Sequence, residues 1–259
     1  VKVGQTLSRP ITLLAGTPQG SVLSPLFNVF VNDIPLRQGG LNDGGQFADD
    51  VTAWTSARLK RKALARLQHS LNLLEPWLYK WRIKINVAKT QLVCFNQRST
   101  GATLKFCGEE VKEAKQMKIL GTTFDRGGSG AQHCKEVATR AMSRVNQLRR
   151  LRGQTWGTST QRLLQFYKQF VRPVMENGYS YSANAKPSAI QYLQVVQNSA
   201  LRVALRADKR TRIQDLHRDA GLENIQERLN SMKIKASGRY KDSFLIHLLE
   251  ARKSALGVF

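Results

Sequence analysis

The chain has 259 residues, 41% of them apolar, which is enough to build a sizeable core and excludes a disordered tail or linker. Lys and Arg number 41 against 18 Asp and Glu, a formal charge of +23 that makes a compact fold repel itself and points to a polyanionic partner, nucleic acid ahead of a membrane surface. No apolar run approaches membrane-spanning length, no signal peptide is visible, and three cysteines (Cys94, Cys107, Cys134) exclude a full disulfide framework and have no metal-ligand spacing.

In chain order, residues 1–16 alternate like two strands, and Gly16-Thr17-Pro18-Gln19-Gly20 reads as a turn. Ser24-Pro25 opens a helix that carries Leu26, Phe27, Phe30 and Val31 and ends near Pro35. The Gly-rich stretch 37–46 is expected to be a loop, and Phe47–Trp54 (FADDVTAW) places an acidic pair in a strand–turn–strand pattern. Leu64, Leu67, Leu71, Leu74 and Leu78 then form a stripe on one face of a helix that begins with Lys60, Arg61, Lys62 and Arg66, and Pro76 is expected to kink or restart it. Trp77 and Trp81 read as core residues; 82–95 alternates like one or two strands, and 118–125 (KILGTTFD) like a short strand with a turn. From about residue 131 the chain becomes helical and basic. Thr158 with Gln161 and Ser188 with Gln191 have capping-box spacing, and Gly221 is expected to end a helix. A boundary is placed at 128–130, in the segment RGGSG.

Asp49-Asp50 is the doublet with chemical promise. Nucleotidyl transfer uses two divalent ions a few ångströms apart, hard cations take carboxylate oxygens, and a tight turn can present two adjacent carboxylates rigidly. Alone, such a doublet is also an ordinary surface turn. Here it is one of an ordered series: GTPQGSVLSPLFNVFVNDIP before it, INVAKT at 85–90 and KILGTTFD at 118–125 after it. This series resembles the reverse transcriptase core of jockey-like non-LTR retrotransposons. The resemblance continues through RPVMENGYSYSANA and LQVVQNSALRVALRADKRTRI and so covers nearly the whole chain.

The resemblance implies an α+β chain. Residues 1–128 would be the later part of a polymerase palm, with a small antiparallel sheet and two helices, and 129–259 a basic helical thumb and C-terminal region. Phe47-Ala48-Asp49-Asp50 matches the catalytic motif, with Asp49 bridging two Mg2+ (or Mn2+) ions and Asp50 its weaker companion. Gln19 and Gly20, with Phe47, would touch the template and the incoming nucleotide. Lys89 would protonate the leaving pyrophosphate, and Leu120-Gly121 would grip the primer. Arg140, Arg144, Arg149 and Arg150 would follow the nucleic-acid backbone; Arg202, Arg206, Lys209, Arg210 and Arg212 form a second basic series whose role is left open. The implied partners are an RNA template, a DNA primer and dNTPs, with no membrane, and the implied setting is intracellular and nuclear.

Two departures from the family stand out. The family's first catalytic aspartate lies upstream of GTPQG, whereas no acidic residue precedes Asp33 here, so Asp33 or Asp125 would have to complete the site if the chain acts alone. SPLFN is also one residue shorter than usual, which turns the rest of its helix by about 100°. The expectation is therefore an RNA-directed DNA polymerase that is incomplete at its N-terminus and inactive by itself. The alternative is a non-catalytic nucleic-acid-binding remnant of a mobile element.

Overall fold

The computed structural model describes residues 2–9, 12, 22, 24–36, 42–95, 101–153 and 157–237. The expected Gly16–Gly20 turn, and with it Gln19 and Gly20, lies outside them.

The described chain is α+β, with four separate two-stranded antiparallel hairpins rather than one sheet. β1 (Lys2–Val3) pairs with β2 (Thr6–Leu7). Helix α1 (Ser24–Phe30) follows and is shorter than expected. It gives way to a turn over 31–33, because Pro35 disfavours helix at Ile34 and the Asp33 carboxylate accepts the Trp77 indole hydrogen at 3.0 Å. β3 (Asn42–Phe47) pairs along its full length with β4 (Asp50–Thr55). The loop expected over 37–46 is thus a strand from Asn42. Gly44 serves close approach, because a Cβ there would lie 2.6 Å from that of Leu36, whereas one on Gly45 would meet the Trp54 ring at an ordinary contact distance of 3.5 Å.

Helix α2 (Lys60–Lys80) runs unbroken through Pro76, against the expected kink or restart. Proline removes one helical hydrogen bond, but the buried Leu74, Trp77 and Leu78 on either side of it hold the helix to its core. The leucine stripe and both tryptophans face inward as read. The strands expected over 82–95 are absent. The segment is extended and includes a 3₁₀ turn (Val87–Lys89), closed by the Asn86 side chain accepting from Lys89 N at 3.2 Å; Leu92 forms an isolated bridge with Glu113, outside the strands. β5 (Thr103–Phe106) and β6 (Glu109–Lys112) form a hairpin, as do β7 (Gln116–Ile119) and β8 (Thr122–Asp125).

The remainder is helical. α3 (Ala131–Arg150) packs along α7 (Pro187–Leu205), and between them in sequence lie α4 (Thr160–Phe166), a π-helical turn (Tyr167–Val171), α5 (Arg172–Met175) and α6 (Tyr179–Ser182). The π turn has a local cause. Pro173 has no N–H for the Gln169 carbonyl, and Arg172 N bonds back to Tyr167 O, five residues away. The expected capping boxes do not form: the N-caps are Ser159 and Lys186, neither with a side-chain cap bond, and Pro187 takes the first helical position of α7. α8 (Ile213–Ala220) ends on Gly221 at φ +59°, as read, and α9 (Ile225–Ser237) follows.

The largest core is helical, with Val137, Ala141, Val145 and Leu148 of α3 against Leu193, Ala200, Leu201 and Ala204 of α7, closed by Tyr167, Leu216 and Leu229. A second core joins α2 to Val31, Val87, Leu92, Phe106 and Val111. A small third cluster of Val93, Phe95, Phe124 and Tyr181 connects the hairpins to the helices. Among the described residues no helix is long and apolar enough to cross a membrane.

Candidate active site

The β3–β4 hairpin presents the acidic pair. Phe47 and Asp50 are the closing pair, which leaves Ala48-Asp49 as a two-residue turn. A turn this short matches the twist of its strands only with φ > 0 at its first residue, a position suited to glycine. Ala48 sits there at φ +53°, and Gln46 Nε2 braces the turn by donating to Ala48 O at 3.1 Å. Both carboxylates are exposed, and the Phe47 side chain beside them is 65% exposed.

Asp49 and Asp50 lie at one edge of a cleft of about 540 Å³ that also takes in Lys89 and Lys118, with a wall of Leu74, Trp77, Leu78 and Val111. The structure therefore brings three sequence-predicted residues, Asp49, Asp50 and Lys89, to one cavity. Lys89 reaches it from the end of the Asn86-capped 3₁₀ turn, not from a strand. Lys118 was missed in sequence; it lies on β7, one position along from the cleft-lining Met117. The exposed carboxylate oxygens suit a hard divalent cation. Among the described residues, no group of three or more His, Cys, Asp or Glu side chains could hold a metal.

Leu120-Gly121 forms the β7–β8 turn, with φ +46° and +81°, the two positive values of a type I′ turn. Leu120 is 56% exposed at the tip. Behind it, the hairpin is fastened to the helices. The buried His133 of α3 accepts from Thr123 N at Nδ1 (3.3 Å), and its Nε2 meets Asn177 O at 3.0 Å, an arrangement that suits the neutral ring. Burial lowers its pKa, Arg140 and Lys118 push the same way, and the Asn177 carbonyl and Glu136 oppose them.

Neither alternative acid is among the residues that line the cleft. Asp125 accepts from Ser129 N and Oγ and from Gly130 N, each at 2.9 Å, and from the Tyr181 hydroxyl at 2.7 Å, so it fixes the start of α3. Burial raises its pKa, but these hydrogen bonds prevail and hold the carboxyl below the usual aspartate value. Asp33 is bonded to Trp77.

The arginines of α3 do not form a single row. Arg144 donates to Phe170 O at 2.6 Å and stacks on the Phe170 ring, and Arg149 binds Asn146 and Ser199. Arg140 and Arg150 are exposed without a hydrogen bond or ion pair to the described residues. The sequence reading also missed the β5–β6 hairpin, although Cys107-Gly108 between alternating apolar positions marks its turn. It missed Glu113 as well, whose buried carboxylate joins Lys60 of α2 and Arg126 after β8, each at 3.0 Å.

Comparison with known proteins fits this geometry. Residues 2–124 match the family model described as reverse transcriptase (RNA-dependent DNA polymerase). The chain is also similar to RNA-directed DNA polymerases of transposons and mobile elements. It is 29% identical over 257 residues to the probable RNA-directed DNA polymerase from transposon BS of Drosophila melanogaster, covering 95% of this chain and 28% of that protein. It is 29% identical over 252 residues to the one from transposon X-element of the same species, covering 95% and 27%. It is 25% identical over 233 residues to the RNA-directed DNA polymerase from its mobile element jockey, covering 86% and 25%. The chain thus spans about a quarter of the length of these relatives. No solved structure matches it significantly.

Proposed function

We propose that the chain serves RNA-directed DNA synthesis in a jockey-like non-LTR retrotransposon, with 1–128 as the later palm and 129–259 as the thumb and C-terminal region. The observation that carries this reading is the convergence of Asp49, Asp50 and Lys89 on one cleft, inside the segment that matches the reverse transcriptase family. Asp49 and Asp50 are ligands for Mg2+ or Mn2+, two ions in the full centre, which when bound supply positive charge to the oxygens of the reacting phosphate. The remaining oxygen donors come from outside the described carboxylates. Lys89, a mobile cation lining the same cleft, meets a nucleotide's phosphates and gives a proton to departing pyrophosphate. Gln19 and Gly20 contact template and nucleotide, Leu120-Gly121 grips the primer, and Arg140 and Arg150 contact the nucleic-acid backbone. The +23 charge suits an RNA template and DNA primer.

The test is incorporation of dNTPs on an RNA template with magnesium or manganese. The chain is joined behind the upstream part of the jockey relative's polymerase, with Asp49→Asn and Lys89→Ala variants alongside. Incorporation that falls with both substitutions supports the reading. Binding of RNA–DNA hybrid without incorporation assigns the chain instead to non-catalytic nucleic-acid binding.

A further inference from the structure

We infer that the loop joining α7 to α8 is a separate docking site for the phosphate backbone of nucleic acid. Its cations are Arg206, Lys209, Arg210 and Arg212, all exposed, and none of the four side chains has a hydrogen bond or ion pair with the described residues. This goes beyond the proposed polymerase reading, because it needs neither the cleft nor catalysis.

The first support is that the loop is built rather than loose. Ala207 N bonds to Arg202 O at 3.0 Å, Thr211 N to Asp208 O at 3.1 Å, and Arg210 N to the Asp208 carboxylate at 2.8 Å. The last bond turns the loop's acid toward the backbone. The acids of α8 are turned away too: Asp215 and Asp219 both pair with Arg218. The positive charge is therefore left to solvent while carboxylates stand close by in sequence.

The second support is a conflict between these residues and their backbone positions. Arg206 ends α7 at φ +55°, a left-handed conformation that is strained for a residue with a Cβ and that α8 gives to Gly221 at its own end. Arg212 occupies the N-cap of α8 with no side-chain cap bond, where Ser, Thr, Asp or Asn is preferred. A cation there also opposes the helix dipole, and Arg210 lies on the same side. The dipole of α7 favours Arg206 and Lys209 but gives no reason for Arg210 and Arg212. When fold-preferred residues are displaced at two adjoining helix ends by the same chemistry, that chemistry serves something outside the fold. Three of the four are arginine, whose planar fork pairs bidentately with phosphate, so a polyphosphate backbone is the partner these residues fit.

The experiment measures affinity of the 259-residue chain for an RNA–DNA hybrid of arbitrary sequence across a salt series. Lys209→Gln/Arg210→Gln/Arg212→Gln is compared with Lys105→Gln/Lys112→Gln/Lys135→Gln, which removes the same charge from other exposed positions. The loop variant is expected to bind at least about tenfold more weakly, with the magnitude of its log–log salt slope reduced by roughly 0.9 for each phosphate that it no longer neutralises. The control variant keeps affinity within about twofold, as expected of surface charges that meet no phosphate. Arg206→Gly separates phosphate binding from folding, since it relaxes the backbone yet should still weaken binding. Arg210→Lys/Arg212→Lys should retain most of it. Equal losses in the loop and control variants, or none in either, would overturn the proposal. So would a loop variant that loses only binding to phosphatidylserine vesicles.

Discussion

The Tyr181 hydroxyl donates to Asp125 Oδ1 at 2.7 Å, joining α6 to the end of β8 across 56 residues of chain. The same carboxylate holds Ser129 and Gly130, so one side chain sets where the hairpin ends, where α3 begins and where α6 docks. Burial raises the Tyr181 pKa, and the neighbouring carboxylate raises it further, which keeps the phenol a donor.

Removing one partner of this bond leaves the other, buried Tyr181 or half-buried Asp125, short of a partner. Tyr181→Phe is expected to cost about 1.5–3 kcal/mol, the range for a hydrogen bond to a charged group, and Asp125→Ala more, because three further donors lose their acceptor. Urea unfolding at neutral pH measures both. Because the folded-state pKa of Asp125 lies below its ordinary 3.8, this stabilisation is present above that value and is lost as pH falls through the folded-state value. Asp125→Asn should flatten that acid limb.

His133 works in a higher pH window. Its folded pKa is depressed from 6.5, so the unfolded chain takes up the proton more readily. Its contribution is intact above 6.5 and declines as pH drops below that value toward the folded pKa. Denaturation midpoints measured from about pH 7.5 down to about pH 5 should fall, and His133→Gln should remove that part of the slope. A slope unchanged by the substitution would show that His133 is not the titrating group.

Gly178 faces the same ring. It has φ +66°, and a Cβ there would stand 2.6 Å from His133 Nε2 and 2.7 Å from Thr122 Oγ1. Gly178→Ala is expected to destabilise by more than about 2 kcal/mol, from backbone strain and overlap together. Gly108, also at positive φ but with nothing within 4 Å of its Cβ position, should tolerate alanine at the strain cost alone, about 1–2 kcal/mol.

Glu113 carries a buried charge shared by two cations. Glu113→Ala should cost about 3–5 kcal/mol, since the buried charge that Lys60 and Arg126 both pair with is then removed. Replacing Arg218, whose pairs with Asp215 and Asp219 are exposed, should change stability by less than about 1 kcal/mol. Chemical denaturation of the two variants side by side decides whether burial sets the difference.

What the sequence made legible followed from strong, local signals. The Asp-Asp turn stands between residues that favour strands, the α2 stripe repeats at three and four, and Gly221 ends a helix. What it hid depended on distant partners. The strand from Asn42 needs glycine at Gly44 because Leu36 approaches it, and α2 survives Pro76 because its neighbours are buried. Lys89 sits on a 3₁₀ turn because the Asn86 side chain closes it. Among the arginines of α3, spacing could not distinguish Arg144 and Arg149, held by Phe170 and Ser199, from Arg140 and Arg150, which make no hydrogen bond or ion pair with the described residues.

The most direct test of the central claim is RNA-templated extension of an oligo(dT) primer on poly(rA). It uses the chain joined behind the upstream part of the jockey relative's polymerase, with Asp49→Asn measured beside it. The account predicts metal-dependent incorporation that drops by at least about a hundredfold on removing the Asp49 carboxylate, because an electrostatic centre loses at least that much with one of its groups. Equal incorporation by the Asp49→Asn chain would contradict it, since the exposed pair on the β3–β4 turn would then be a surface turn and nothing more.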